Sequence, residues 1–294
     1  MSVGPIYISG GPSPHGWSGH ADFRLCPAWW AWRKIAKVSF GTSEPLARGT
    51  LMAIGICHWR AGIGSKVGTL RYRGTKPAAG SFLSMHEAVE EAVKRELIGK
   101  LDMTTIRSVE AQVHMMLDVY TREPAAVPIG HRIIHVEEVV EGWIEDPVDG
   151  IEYPITARPD MITLGPDNKV YWWDDKVAAN PNAKLVVSYS FSGQFVMANW
   201  LGPRAWPGRF GGVRLSLTHH DGKFERPHLK AVPAMVAQFP TNYAYYEREK
   251  RRLVAAGTPA AAYPKAEHDQ ICVRRYGGPC PAIDLCAFKL PSEG

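Results

Sequence analysis

The chain has no apolar run approaching the ~20 residues that a membrane-spanning helix needs, and it has no internal repeat or low-complexity block. Its first twenty residues, MSVGPIYISGGPSPHGWSGH, lack the basic stretch followed by an apolar stretch that marks a secretory leader. No membrane association and a cytoplasmic location are the expectations that follow. Cysteine is sparse, with five residues: Cys26, Cys57, Cys272, Cys280 and Cys286. An odd count in that compartment argues against a disulfide framework and toward ligation of a metal or cluster. Charge is also modest. A net charge of +5 permits nucleic-acid binding without demanding it.

What is present describes a globular protein: 294 residues, 45% hydrophobic and 21% charged, long enough for one large core or two modest ones. Residues 1–20, rich in Gly, Pro and Ser, read as a flexible arm. A helical region spans 21–130. It holds a helix from Pro27, a buried helix over 45–64, a basic loop with Lys66, Arg71, Arg73 and Lys76, and a helix opened by the capping box Ser84-x-x-Glu87. A further helix covers Thr104 to Arg122. Residues 131–257 change character. HRIIHVEEVVEGWI alternates and reads as one strand, a hairpin follows, then a helix over SYSFSGQFVMANWLG, the strand GGVRLSLTHH, and the helix FPTNYAYYEREKRRLVAAG. The Pro-rich tail, 258–294, carries three cysteines. The fold class is α/β (α+β), with mixed strands flanked by helices.

The hairpin, ITARPDMITLGPDNKVYWWDDKV, carries the chemistry. Its turn signal is Gly165-Pro166-Asp167-Asn168. Centred on Asp167, it sets Asp160 opposite Asp174, because both are equally far from 167. Alternation then puts Asp174 and Lys176 on one face and Asp175 on the other. Buried like charges require a cation between them or a proton on one. Mg²⁺ or Mn²⁺ held by Asp160 and Asp174, with the Asp175 carbonyl between and Lys176 beside the attacking water, satisfies all of these groups. Glu137 on the preceding strand is a candidate further ligand, or else a surface residue of a Glu-Glu pair. Gln194 on the following helix is a candidate to hold the lysine or a phosphate.

Pro159-Asp160, Asp174-x-Lys176 and a helical Gln194 together resemble the PD-(D/E)xK nuclease superfamily. The closer resemblance is to its RecB-like exonuclease branch, which includes phage and CRISPR-associated members. It implies a restriction-endonuclease-like fold and metal-dependent cleavage of DNA. It assigns catalysis to Asp160, Asp174, Lys176 and Gln194. Two departures stand out. Ala198 occupies the place of a tyrosine four residues after the glutamine. The metal-binding histidine of a Gly-x-x-x-His context is Ala53 in Gly49-Thr50-Leu51-Met52-Ala53, which leaves His86 as the other candidate metal ligand.

The tail spacing Cys272-x7-Cys280-x5-Cys286 is too wide for a zinc knuckle. Three separate arms then reach one centre, with Cys26 as the fourth ligand, while Cys57 sits inside an apolar helix as a buried thiol. The pattern resembles the 4Fe–4S staple of some RecB-like nucleases, which would pin the tail to the N-terminal region. Zinc and free thiols remain alternatives at these cysteines. Arg248, Lys250, Arg251 and Arg252, near Tyr243, Tyr245 and Tyr246, are candidates for nucleic-acid contact, or else a solvated helix face. The resulting expectation is a DNA exonuclease working with recombination or replication partners. The alternatives are a catalytically weakened DNA-binding accessory and a zinc-stabilised structural protein.

Overall fold

The computed structural model describes residues 7–9, 15–38, 40–62, 83–122, 127–179, 182–265, 280–282 and 285–286. The basic loop from Lys66 to Lys76 and Cys272 lie outside these residues. In chain order the elements begin with β1 (Tyr7–Ser9), α1 (Trp17–Leu25), α2 (Pro27–Lys34), α3 (Glu44–Gly62), α4 (Met85–Glu96) and α5 (Met103–Arg122). The strands β2 (Arg132–His135), β3 (Val139–Glu145), β4 (Glu152–Ala157), β5 (Met161–Leu164) and β6 (Val170–Ala178) follow. The last group is α6 (Ala183–Ser190), α7 (Gly193–Ala205), β7 (Phe210–His219), β8 (Phe224–Glu225), β9 (His228–Leu229) and α8 (Pro233–Ala255).

Two sheets form: β1-β3-β4, and β2-β5-β6-β7-β8 with β9 also on β7. Strand β6 is the axis of the larger one. It pairs antiparallel with β5 and parallel with β7, and α6 and α7 make the crossover that a parallel pair requires. One face of this sheet, with Ile162, Trp172 and Leu215, packs on Phe195 and Trp200 of α7 and Tyr243 of α8. The helices α3, α4 and α5 bury their own core of Leu51, Ile106, Met116 and Tyr120, which Val177 of β6 and Phe224 of β8 join from the sheet. Gly55 lets α3 and α5 approach closely. A Cβ there would lie 2.4 Å from Leu117 Cδ1.

Local chemistry explains the boundaries. Pro27 occupies the first turn of α2, and the Cys26 sulfur caps it by accepting from Trp29 N at 3.4 Å. The capping box of α4 closes in both directions: Glu87 N donates to Ser84 Oγ at 3.2 Å, and Ser84 N donates to Glu87 Oε2 at 2.8 Å.

The structure departs from the sequence-based expectation at four places. HRIIHVEEVVEGWI is two strands in different sheets, because Glu137 adopts φ +53° and turns the chain between β2 and β3. SYSFSGQFVMANWLG belongs to two helices, parted after Ser190, with Ser192 as N-cap of α7. Helix α8 starts earlier than expected, at Pro233. The expected flexible arm is docked where it is described: Tyr7–Ser9 pairs with β3, and Thr156 N donates to His15 O at 3.2 Å.

Candidate active site

The β5–β6 turn is closed by Gly165 N donating to Lys169 O at 2.8 Å, with Asn168 at φ +59°. That turn fixes the pairings Met161↔Trp173 through Leu164↔Val170. One step beyond Met161↔Trp173, Asp160 falls opposite Asp174. Both acids are buried, 4% and 3% exposed. Asp160 Oδ2 accepts the Asp175 N–H at 2.7 Å. Asp174 Oδ1 accepts from Gln194 Nε2 at 2.6 Å, and its other oxygen is ion-paired with Lys176 Nζ. The four residues assigned to catalysis are therefore in one place. Burial pushes the Asp174 carboxyl up to about 6; Lys176 opposes that rise and the Asp160 charge adds to it.

Asp175 points to the other side of the sheet, as strand alternation demands, and meets a residue the sequence reading missed. Arg60 of α3 is 1% exposed. Its Nη1 donates to Asp175 Oδ2 at 2.8 Å and to Asp160 O at 3.0 Å. Its Nη2 donates to Asp175 Oδ1 at 3.1 Å and to Tyr120 Oη at 2.8 Å. One guanidinium thus ties the start of β5 to the middle of β6 from behind the acid pair. The available signal was a lone arginine ending the apolar run IGICHWR, since a charge inside a buried helix needs a buried partner.

The acid pair opens into a cleft of about 990 Å³ whose other walls come from α1, α2, α3 and α8. Besides Lys176, the cations Lys34, Arg158, Lys250 and Arg251 line it, as do Trp17 and Trp30. Ala53 lines it too, so the position that reads as a lost metal-binding histidine does face the acids' cleft.

Several expected site residues go elsewhere. His86 is not at the cleft; its Nδ1 lies 2.6 Å from His114 Nδ1 and its Nε2 lies 3.0 Å from Asp118 Oδ1, on α4 and α5. Glu137 is buried against Arg158, with Nε at 3.1 Å, so it steadies a cleft cation rather than joining the acids. The Asp175 carboxylate is paired with Arg60 on the other face, as expected, and the expectation for the Asp175 carbonyl does not involve that group. Of the four basic residues of α8, Lys250 and Arg251 reach the cleft, Lys250 as the partner of Glu247, while Arg248 pairs with Asp146 and Arg252 with Glu249 away from it. Ala198 is core, 1% exposed.

Cys26 and Cys280, both buried, lie in one apolar cluster with Trp29, Trp30 and Tyr263, and Cys286 packs against it. Cys57 is buried within α3. Among the described residues, no group of three or more His, Cys, Asp or Glu side chains is gathered to hold a metal.

No family model matches the chain, and no curated protein matches it. Among solved structures, a protein of Eubacterium rectale provisionally described as an exonuclease is 11% identical, with a TM-score of 0.51 over 94% of this chain and 93% of that one. At that identity the likeness is one of fold. A second structure, SSO0001, is 13% identical over 69% of this chain and 74% of that one, at a TM-score of 0.31, and carries no argument.

Proposed function

We propose that this chain is a divalent-metal-dependent DNA nuclease of the PD-(D/E)xK type, an exonuclease of the RecB-like kind. One observation carries the reading: two buried carboxylates from adjacent strands face a cation-lined cleft beside a half-buried lysine. The donor set fits a hard cation. Asp160 and Asp174 supply oxygen, and Mg²⁺ fills the rest of its shell with water and phosphate oxygens, which suits a site with only two protein carboxylates. Bound there, Mg²⁺ or Mn²⁺ would neutralise phosphate charge and make a water more acidic.

The chain's own residues do the rest. Lys176 orients the water and stabilises charge developing on the phosphate. Gln194 fixes the Asp174 rotamer, and the Asp175 N–H fixes Asp160. Lys34, Arg158, Lys250 and Arg251 draw the phosphate backbone into the cleft, and the two tryptophans offer faces for bases. Labelled single- and double-stranded DNA incubated with purified protein tests this. Cleavage should require Mg²⁺ or Mn²⁺ and stop with a chelator. Chelator-resistant cleavage would remove the metal from the scheme.

A second reading has its own observation. Ala53 lines the cleft where a further ligand is expected, which favours a weakened centre in a DNA-binding accessory protein. DNA binding without any metal-dependent cleavage would select it.

Within the same proposal, Cys26, Cys280 and Cys286, with Cys272, hold a structural 4Fe–4S cluster, and zinc is the alternative. The apolar setting shared by three of these thiols supports convergence. Anaerobically purified protein should be brown and contain iron and sulfide in equal amounts. A colourless protein containing zinc would reverse the assignment.

A further inference from the structure

The reverse face of the large sheet holds a charge cluster for which the cleft has no use. Back along β6 from Asp175, Trp173 and Tyr171 lie on the same face. The Arg214 guanidinium sits 5.2 Å from the Tyr171 ring. That of Arg226 sits 6.0 Å from Trp173 and 5.3 Å from Phe224. His131 lies against the same two β6 rings, at 5.2 Å and 5.9 Å. His228 of β9 is the register partner of Arg214, and its ring lies beside Gly212, two residues before that arginine. His228 is exposed, and His131, Arg214 and Arg226 are half-buried.

Arg214 acts on both imidazoles, and Arg226 acts on His131. Burial lowers both imidazoles below the ordinary histidine range, and Arg214 lowers both further. Arg214 Nε is buried with no hydrogen-bond partner among the described residues, although the same side chain hydrogen-bonds the Tyr171 hydroxyl. Asp167, which raises His131, is engaged by the Tyr171 hydroxyl at 2.6 Å. Glu225 on β8 is turned to His219. Exposed Lys169 and Arg209 carry the positive charge to the hairpin end.

The two guanidiniums lie over neighbouring β6 rings, so an anion between them offsets their mutual repulsion, and the two neutral imidazoles add further N–H donors. Guanidinium groups braced on aromatic faces keep their N–H edges in fixed directions, which suits phosphate oxygens. We propose that Arg214, Arg226, His131 and His228 form a second polyanion site on the face opposite the cleft, which takes the phosphate backbone of a nucleic acid. The site's charge is independent of the nuclease reading. The choice of nucleic acid as its ligand rests on that reading.

The test uses the full chain carrying Asp174→Ala, so that DNA stays intact, and a labelled duplex with a single-stranded end long enough to reach both faces. Binding is followed by anisotropy across a salt series. Arg214→Gln/Arg226→Gln should weaken binding about tenfold and make the salt dependence shallower by about two phosphate contacts. The same pair in the wild-type background should leave cleavage of a short oligonucleotide, confined to the cleft, unchanged. Circular dichroism melts identify an unfolded variant, and His228→Glu, an exposed substitution that sets a carboxylate opposite Arg214, then replaces it and should weaken binding several-fold. Unchanged binding by a folded His228→Glu protein would equally overturn the site. Unchanged affinity and salt slope would overturn the site. Displacement of the DNA by polyglutamate as readily as by a second DNA would overturn the nucleic-acid assignment. Loss of DNA binding by the paired variant of a protein that cleaves nothing would keep this site and remove the nuclease reading.

Discussion

Asp174→Asn is expected to reduce metal-dependent cleavage by at least ~10³-fold, the scale of removing a group that organises charge in a transition state. The same substitution should change stability in a pH-dependent way. Asp174 carries a folded-state pKa of about 6 against an ordinary 3.8, because burial and Asp160 outweigh Lys176. A raised carboxyl pKa means that the protonated form is favoured by folding. That contribution is complete below pH ~4 and lost as pH rises through about 6. Asparagine mimics the protonated acid at every pH. In chelator-treated protein, the wild type should therefore lose stability relative to Asp174→Asn between about pH 4 and 6, on the order of 3 kcal/mol at about 1.4 kcal/mol per pH unit. Added Mg²⁺ should reverse the loss in the wild type alone. Denaturant melts across that range read both effects. A difference that stays flat with pH would mean that Asp174 is not the strained acid described above.

Arg60→Met is expected to destabilise the protein by about 3–5 kcal/mol, the usual cost of removing one partner from a buried ion pair. Methionine fills much of the volume, so the loss is electrostatic. Asp175 would keep a buried charge with its main counter-ion gone, and Asp160 O and the Tyr120 hydroxyl would lose a donor. Arg60→Lys should not rescue much, because a single ammonium cannot span Asp175, Asp160 O and Tyr120 together. Arg60→Met/Asp175→Asn should recover a large part of the stability, because the stranded charge is gone. Its cleavage rate should stay low, since the guanidinium link between Asp160 O and Asp175 is then gone. Full activity in that folded double variant would show that the tie does not position Asp160.

The acid pair was legible because a short turn sets strand register by arithmetic. Gly165-Pro166-Asp167-Asn168 fixes the centre, and the residues at equal distance must meet. Helix α4 was legible from two residues, Ser84 and Glu87, whose side chains satisfy each other's backbone. Other features depended on the far side of a contact. Nothing in VEEVV signals that Glu137 adopts a positive φ. Its side chain pairs with Arg158, twenty-one residues on, a contact no local pattern announces. Arg60 and Asp175 are 115 positions apart, and no local pattern links them. His86 misled for the opposite reason. The resemblance calls for an upstream histidine and Ala53 left His86 as the candidate, but the α4–α5 packing gives it His114 and Asp118. Glycine and proline suggested looseness for the first twenty residues, yet a strand pairing and a bond from Thr156 hold part of that segment in place.

The short pairing of Tyr7–Ser9 with Glu141, Val140 and Val139 has a practical corollary. It covers the outer rim of β3. A version of the protein shortened past Ser9 would leave that rim bare, with amide and carbonyl groups facing solvent beside an apolar strand. Such rims recruit strands from other molecules. Clumping of a trimmed protein would then be a symptom of missing cover and not of a failed core.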